Sequence, residues 1–302
     1  MIGDSLDGVI NFFKPKGMTS HDAVQFFRKL TGIRKIGHTG TLDPMATGVL
    51  PICIGRATRI AEYITGADKE YIAGVSLGIR TDTLDSTGKV LEFSDKIVTD
   101  NDILKALGEF RGQIIQIPPM FSAKKTGGKK LYELARKGID VDRKAHKVEI
   151  YQLELLSIRN NKDLMFRAGC SKGTYIRTVC DDLGTSLGTF GHMTYLLRTK
   201  AGSFDLSQSV GINSLKEMNK EELNNVIVPI EAALKDLPII SVREDRYDKM
   251  LNGLTTRLDD DYNLYELDKP VRAYAGKRFV GIGSIRCVDN CRILKMEKVL
   301  AK

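Results

Sequence analysis

The chain has 302 residues, 42% of them hydrophobic and 28% charged, the make-up of one large or two smaller globular domains with ample core. Lysine and arginine number 46 against 38 acids, a net charge of +8. No apolar run reaches the length of a membrane span. The opening "MIGDSLDGVINFF" has no basic n-region, so neither a membrane partner nor a secretory signal is expected. The five cysteines (Cys53, Cys170, Cys180, Cys287, Cys291) are scattered and odd in number, which fits a reducing cytoplasm.

In chain order, "DGVINFF" predicts a strand turned by "KPKG". Thr19 and Asp22 have the spacing of a capping box, opening a helix with Ala23, Val24, Phe27 and Leu30 on one face. "GHTGTLDPMATG", residues 37–48, has no apolar period, and "ATRIAEYI" after it predicts a short helix. "EYIAGVSLG" alternates, with Tyr71, Ala73, Val75 and Leu77 sharing one face of a strand. "TDTLDSTG" is a polar loop leading to "KVLEF". Thr99 and Asp102 cap a second helix, and "QIIQI" predicts a strand before two prolines. "LYELARKG" is helical with a glycine stop. "HKVEIYQLELLSIR" and "LMFRAGC" predict a hairpin. "GTYIRTVCDDLGTSLG" predicts a helix capped by Thr174, with Ile176, Val179, Leu183 and Leu187 as its buried stripe. Strands and helices interleave without a βαβ rhythm, which predicts an α+β fold.

The texture changes at Leu237 and Pro238. "PIISV", "VRAYAG", "RFVGIGSIR" and "RILKMEKVL" are short strands, accompanied by one helix-like piece, "REDRYDKMLNG". Two domains follow, residues 1–237 and a mainly β appendage at 238–302, too small for a comfortable core of its own and expected to lean on the first.

The basic residues gather in loop-like passages, "FKPKG", "RKIGH", "SAKKTGGKK" and "ARKGIDVDRKAHK". Acids are denser in "TDTLDSTG" and "RLDDDYNLYELD". A basic skew clustered in loops points to a polyanion more than to uniform solvation. No P-loop, "HExxH" or "GxSxG" occurs; "GIGSIR" echoes a dinucleotide fingerprint but sits late and lacks its helix. His21, His146 and His192 are isolated, and "CVDNC" lacks a second ligand pair, so its thiols are expected buried or half-buried. No metal or cofactor is implied. An enzyme built this way would work with carboxylate, tyrosine, lysine or arginine.

Asp43 suits that requirement. Pro44 biases it away from helix, and Gly37, Gly40 and Gly48 permit turns and a close-approaching ligand. The bland alternative is an Asp-Pro turn closed by an Asx hydrogen bond. Arg177 falls at about the third position of its helix, where a cation opposes the macrodipole at about 0.3–1 kcal/mol. Either it reaches into solvent or an anion, Asp43 or a phosphate, offsets the penalty. From spacing alone Tyr71 reads as a half-buried strand tyrosine.

"GHTGTLDPMATGVLPICIGRATR" resembles the signature of the bacterial TruB family of tRNA pseudouridine synthases. "NFFKPKGMTSHDAV", "DKEYIAGVSLGIRTDTLDSTG", "IPPMFSAKKTGGKKLYELARKG", "GTYIRTVCDDLG" and "HMTYLLRTKAGSF" resemble further motifs of that family, in its order. The resemblance spans most of residues 8–237, and the appendage is similar, more loosely, to a PUA-type RNA-binding domain.

The resemblance implies a mixed, largely antiparallel sheet around a central cleft, and cofactor-free isomerisation of a uridine in the tRNA T-loop (position 55) to pseudouridine. It makes Asp43 the catalytic residue, Tyr71 the residue stacking on the base, and Arg177 the partner of the aspartate. Lys14 and Pro15 would line the site and His38 would hold the RNA loop, with Tyr175 and Leu197 completing the pocket. It further implies base flipping, a segment "SAKKTGGKK" that orders on RNA, a tRNA T-arm as partner, and a cytoplasmic monomer with no obligate protein partner. A non-catalytic RNA-binding protein on the same scaffold, or the same isomerase acting on another RNA, would share the charge pattern.

Overall fold

The computed structural model describes residues 6–259, 262 and 264–301. The first five residues and part of the acidic stretch 257–268 lie outside the described set. The first half runs β1 (Gly8–Lys14), α1 (Ser20–Thr31), β2 (Ile36–His38), β3 (Thr47–Ile54), a 3-10 turn (Gly55–Ile60), α2 (Ala61–Thr65), β4 (Lys69–Leu77), β5 (Ile79–Thr81), β6 (Val90–Phe93), α3 (Asp100–Glu109) and β7 (Gly112–Gln116). Then come the small strands β8 (Lys125–Thr126) and β9 (Lys129–Lys130), α4 (Leu131–Ala135), β10 (His146–Arg159), β11 (Asp163–Cys170), α5 (Ile176–Ser186), β12 (Gly191–Ala201), β13 (Phe204–Asp205), α6 (Ile212–Glu217), α7 (Lys220–Asn225) and β14 (Ile227–Val228). The last part holds β15 (Ile239–Val242), α8 (Tyr247–Leu251), β16 (Thr256–Arg257), β17 (Pro270–Ala275), β18 (Arg278–Val288) and β19 (Cys291–Val299).

One mixed sheet organises the chain up to β14. Its path is β14-β1-β3-β12-β4-β11-β10-β7, with β2 on β3 and β13 on β12. Every pairing is antiparallel except β3 with β12, which run parallel with Leu197 opposite Thr47 and Arg198 opposite Gly48. The α+β, largely antiparallel expectation therefore holds.

Local chemistry explains the periodic elements. The Thr19 hydroxyl accepts from the Asp22 N–H and the Asp22 carboxylate from the Thr19 N–H, both at 3.0 Å. Gly32 ends α1 in the left-handed region, which only glycine enters at little cost. Ala23, Val24 and Phe27 are buried, and the Phe27 ring meets Phe12 of β1 edge-on at 5.2 Å. Thr99 and Asp102 cap α3 in the same way. In β4, Tyr71, Ala73, Val75 and Leu77 are all buried.

Two sequence expectations need correction here. Thr174 does not cap α5: its hydroxyl donates to the Ser171 carbonyl at 2.9 Å. The N-cap is Tyr175, whose N–H is taken by the Gln116 side chain at 3.0 Å. A partner from β7 thus takes one of the N–H groups left unpaired at the helix start. Arg177 is accordingly the second helical residue. Cys287 is exposed rather than buried or half-buried, because it lies near the tip of the β18–β19 hairpin. There Val288 pairs with Cys291 and Cys287 with Arg292, which sets the two thiols on opposite faces.

The C-terminal strands form a second sheet, β15-β17-β18-β19-β16, with its own core of Ile240, Met250, Val271, Val280, Ile285 and Leu294. It does lean on the rest: Ile282 and Leu300 pack with Val9, Val49, Cys53 and Ile60. Arg56 donates to the carbonyls of Leu300 and Ala301 at 2.8 and 2.9 Å.

At the parallel seam Gly48 has φ +107°, and a Cβ there would stand 2.2 Å from the Arg198 carbonyl oxygen. Backbone cannot yield to backbone cheaply. Gly48→Ala is expected to cost at least about 2 kcal/mol, measured by urea denaturation; an unchanged midpoint would remove the seam as a constraint.

Candidate active site

The loop between β2 and β3 carries Asp43 and is tethered from several sides. The Ser20 hydroxyl at the start of α1 donates to the Leu42 carbonyl and accepts from the Leu42 N–H at 2.9 Å. The Gly17 N–H, in the turn after β1, donates to the Pro44 carbonyl at 2.7 Å. The Thr39 N–H reaches the Pro51 carbonyl at 3.1 Å, and the Ala46 N–H closes on the Asp43 carbonyl at 3.0 Å. Arg198 of β12 is 1% exposed and donates to the carbonyls of Val49 (2.6 Å) and Gly40 (3.2 Å). A loop fixed this often positions its side chain as firmly as a strand would.

The Asp43 carboxylate meets Arg177 rather than folding onto its own backbone. Arg177 Nε stands 2.9 Å from Asp43 Oδ2, with the arginine side chain 5% exposed and that of Asp43 31%. Both Nη atoms are also engaged: Nη1 donates to Thr83 O at 3.0 Å, and Nη2 to Phe121 O at 2.8 Å. Nη1 also lies 3.8 Å from the buried Asp85 carboxylate. Asp85 Oδ1 accepts from the Thr83 hydroxyl (2.8 Å) and from the Thr87 N–H and hydroxyl (2.9 and 2.6 Å). Arg177 thus ties together the Asp43 loop, the Thr83–Asp85 turn and the segment entering "SAKKTGGKK".

The cleft beyond this pair has a volume of about 370 Å³ and is walled by Asp43, Tyr71, Tyr175, Arg177, Leu196 and Arg198, among others. Burial pushes the Asp43 carboxyl above the ordinary carboxylate range, and the Arg177 guanidinium partly offsets it. Burial also raises the Tyr71 phenol, opposed by Arg198, so the hydroxyl stays protonated. Two lysines sit behind the wall or within it. Lys14 is fully buried and donates to the carbonyls of Pro15 and Met18. Burial lowers it to about 8, although the Asp43 charge resists. Lys69 is lowered to about 8 by burial too, and donates to the carbonyls of Thr65 and Ala67.

Of the residues singled out in the sequence, Asp43, Tyr71, Tyr175 and Arg177 come together on the cleft wall. Lys14 and Pro15 are not among the residues that line it, although the charge of buried Lys14 acts on Asp43. His38, half-buried in β2 with an unpartnered Nδ1, lies off the wall. Leu197 is a correction: Leu196 lines the cleft. The register explains this, since Arg198 pairs with Tyr71 and Leu196 with Ala73, while Leu197 pairs with Ile72 on the other face. Asp85, Lys69, Leu196 and Arg198 were missed. The signal for Asp85 was present, a carboxylate flanked two residues away on each side by Thr83 and Thr87. Among the described residues no group of three or more His, Cys, Asp or Glu is placed to hold a metal ion.

These positions separate two substitutions. A raised folded pKa means that ionised Asp43 costs stability at neutral pH. That cost falls as pH drops through the folded value towards the unfolded one. Asp43→Asn, which keeps an acceptor for Arg177, is therefore expected to melt no lower than wild type at pH 7.5. Arg177→Gln leaves Asp43 and buried Asp85 without their shared cation and is expected to lose about 3 kcal/mol or more. Denaturant melts of the two variants check this, and the reverse order would contradict it.

Known proteins resemble this chain along most of its length. Residues 28–176 match the TruB family pseudouridylate synthase N-terminal domain, and residues 177–235 the tRNA pseudouridylate synthase B C-terminal domain. The tRNA pseudouridine synthase B of Clostridium tetani is 41% identical over 292 residues, covering 96% of this chain and 99% of the relative. That of Symbiobacterium thermophilum is 46% identical over 252 residues, 82% of this chain and 83% of the relative. Among solved structures, a Cbf5–Nop10–Gar1 complex includes a chain superposing with TM-score 0.75 at 27% identity, over 97% of this chain and 84% of that one. The chain belongs to the TruB family of pseudouridylate synthases.

Proposed function

We propose that this protein isomerises a uridine of tRNA to pseudouridine, that the uridine is the one at position 55 of the T-loop, and that Asp43 is the essential carboxylate. The observation that carries the reading is the Asp43–Arg177 pair at 2.9 Å, on the wall of a cleft faced by two tyrosines. Isomerisation cuts the bond from the sugar to N1, turns the base, and joins the sugar to C5. The C5 hydrogen leaves and N1 gains one. A carboxylate can serve by attacking the sugar, by attacking the base, or by taking a sugar proton. Each route needs one fixed group within reach of both sugar and base, which the tethered loop supplies.

The other residues take roles that follow from their state. Tyr71 offers a ring for stacking and a neutral hydroxyl for proton transfer. Arg177 keeps Asp43 ionised and oriented. Lys14 and Arg198 add positive potential behind the loop. A uridine inside a folded loop has to be turned out of its stack, at a cost on the order of a few kcal/mol recovered by stacking and backbone contacts. The phosphate contacts come from the basic loops. Lys124 stands on the cleft wall, and β8 and β9 form a short hairpin with Lys125, Lys129 and Lys130. In this reading residues 1–237 form the catalytic domain and 238–302 a PUA-like RNA-binding domain. The protein acts in the cytoplasm as a monomer on the tRNA T-arm, without an obligate protein partner.

The test is an unmodified tRNA transcript incubated with wild type and with Asp43→Asn, pseudouridine being mapped by chemical adduct and primer extension. One T-loop stop is expected with wild type, and none with a variant that still binds tRNA. Binding without modification by either protein would defeat the reading, and release of free uracil would make the protein a glycosidase. The same tRNA titrated against salt is expected to give a log–log slope of about −3 or steeper, the signature of several phosphate contacts; a flat response would remove the basic loops from binding.

A further inference from the structure

The end of β7 buries its polar residue and exposes its apolar neighbours. Ile115 and, just past the strand, Ile117 are 68% and 54% exposed, while Gln116 between them is 1% exposed. Taking an amide out of water is costly unless its donor and its acceptor are both bonded. Here both are, and by one residue. Gln116 Oε1 accepts from the Tyr175 N–H at 3.0 Å, and Nε2 donates to the Tyr175 carbonyl at 3.2 Å. The side chain grips Tyr175 as the backbone of a neighbouring strand would.

His146 supports the same segment. It pairs with Gln116 across β10 and β7, so the two side chains share a face. Its Nε2 lies 3.1 Å from the Gly173 carbonyl, which only accepts, so that nitrogen carries a proton. Its ring meets the Tyr175 ring edge-on, with centroids 6.1 Å apart. Between these supports Gly173 turns the chain at φ +82°, and Tyr175 is extended (φ −97°, ψ 106°) before α5 begins. Tyr175 stands on the wall of the Asp43 cleft, and Arg177 follows it as the second residue of the helix.

We propose that Gln116, supported by His146, is a positioning residue for the reaction. Through the Tyr175 backbone it fixes where the Tyr175 ring stands in the cleft and where Arg177 sets out toward Asp43. The role of the cleft rests on the isomerase reading; the grip itself rests on the hydrogen bonds above. Glutamine is the side chain that the grip requires. Asparagine is one carbon shorter, leucine bonds neither group, and an ionised glutamate accepts but does not donate.

The experiment uses the full chain and an unmodified tRNA transcript, with turnover and tRNA affinity measured separately. Gln116→Leu is expected to lower kcat about tenfold or more, while tRNA affinity, carried by the basic loops, stays within about twofold. Gln116→Glu is expected to be as slow at alkaline pH. As pH falls, burial favours its neutral carboxyl, whose O–H donates to the Tyr175 carbonyl and whose C=O accepts from the N–H. Its kcat relative to wild type at the same pH then recovers, whereas the ratio for Gln116→Leu stays flat. The ionisable groups around the grip are His146, Tyr175, Arg177, Asp43 and Arg143, which donates to the Pro118 carbonyl. All are common to the three proteins, so the ratios cancel them. Where Gln116→Leu does not fold, Gln116→Glu carries the test. Protein labelled with 3-fluorotyrosine gives a readout that needs no reaction: the Tyr175 fluorine resonance, assigned by its loss in Tyr175→Phe, is expected to shift in the Gln116 variants. A wild type that leaves the tRNA unmodified defeats the isomerase reading, and the resonance then decides the grip alone. Unchanged kcat, an unmoved resonance, or a loss confined to tRNA affinity would overturn the proposal.

Discussion

The site depends on one guanidinium. Arg177 is almost fully buried, yet its N–H groups reach the Asp43 carboxylate, the Thr83 and Phe121 carbonyls and, at longer range, Asp85. Four segments far apart in sequence meet at this side chain. A lysine could supply the charge but not this spread of directions. The arrangement also resolves the awkward position of the arginine. At the second residue of α5 it opposes the helix dipole, a penalty of about 0.3–1 kcal/mol. Two neighbouring carboxylates in a medium of low dielectric outweigh that penalty. The arginine in turn limits how far burial raises the Asp43 carboxyl, and so keeps an ionised carboxylate available in a place that would otherwise protonate it.

The scaffold around this pair is held from both sides of β3. Alternation along the strand sends Leu50, Ile52 and Ile54 into the main core, and Val49 and Cys53 into the core shared with Ile282 and Leu300 of the C-terminal part. Arg56, Arg59 and Lys298 then link the turn after β3 to the end of β19. The C-terminal sheet is therefore more than an attached surface, because Ile282 of β18 and Leu300 just beyond β19 pack against the strand that follows the Asp43 loop. On the loop side, Arg198 braces Val49 and Gly40. That brace exists because β3 and β12 run parallel at Gly48, the one departure from antiparallel pairing in the large sheet.

What could be read in the sequence follows from where local rules act alone. The capping boxes of α1 and α3, the alternation of β4 and the β10–β11 hairpin were legible because periodicity and short-range hydrogen bonds decide them. β3 was not, because "GVLPICI" is buried on both faces and shows no alternation. The start of α5 was misread because Gln116, a residue of another strand, does the capping. Asp43 stood out through its glycine frame, and Arg177 through its conflict with the helix dipole. The roles of Tyr71, Tyr175 and Lys14 came from family resemblance. Choosing Leu196 over Leu197 needs the pairing register, which two adjacent leucines do not reveal. Asp85 acts on the pair through Arg177, and a reading for residues that face a substrate passes over it.

Charge around the cleft supplies the last step. Lys14, Lys69, Arg177 and Arg198 are all buried, against Asp85 and half-buried Asp43. Each cation is held by backbone carbonyls, which satisfy its hydrogen bonds without neutralising it. Arg198 accordingly helps to depress both Lys14 and Lys69. In the protein alone these groups repel one another, so the fold carries an electrostatic cost concentrated where a polyanion arrives. A phosphate-bearing strand entering the cleft relieves part of that repulsion. The same excess of positive charge that burdens the free protein thus favours a polyanionic substrate such as tRNA.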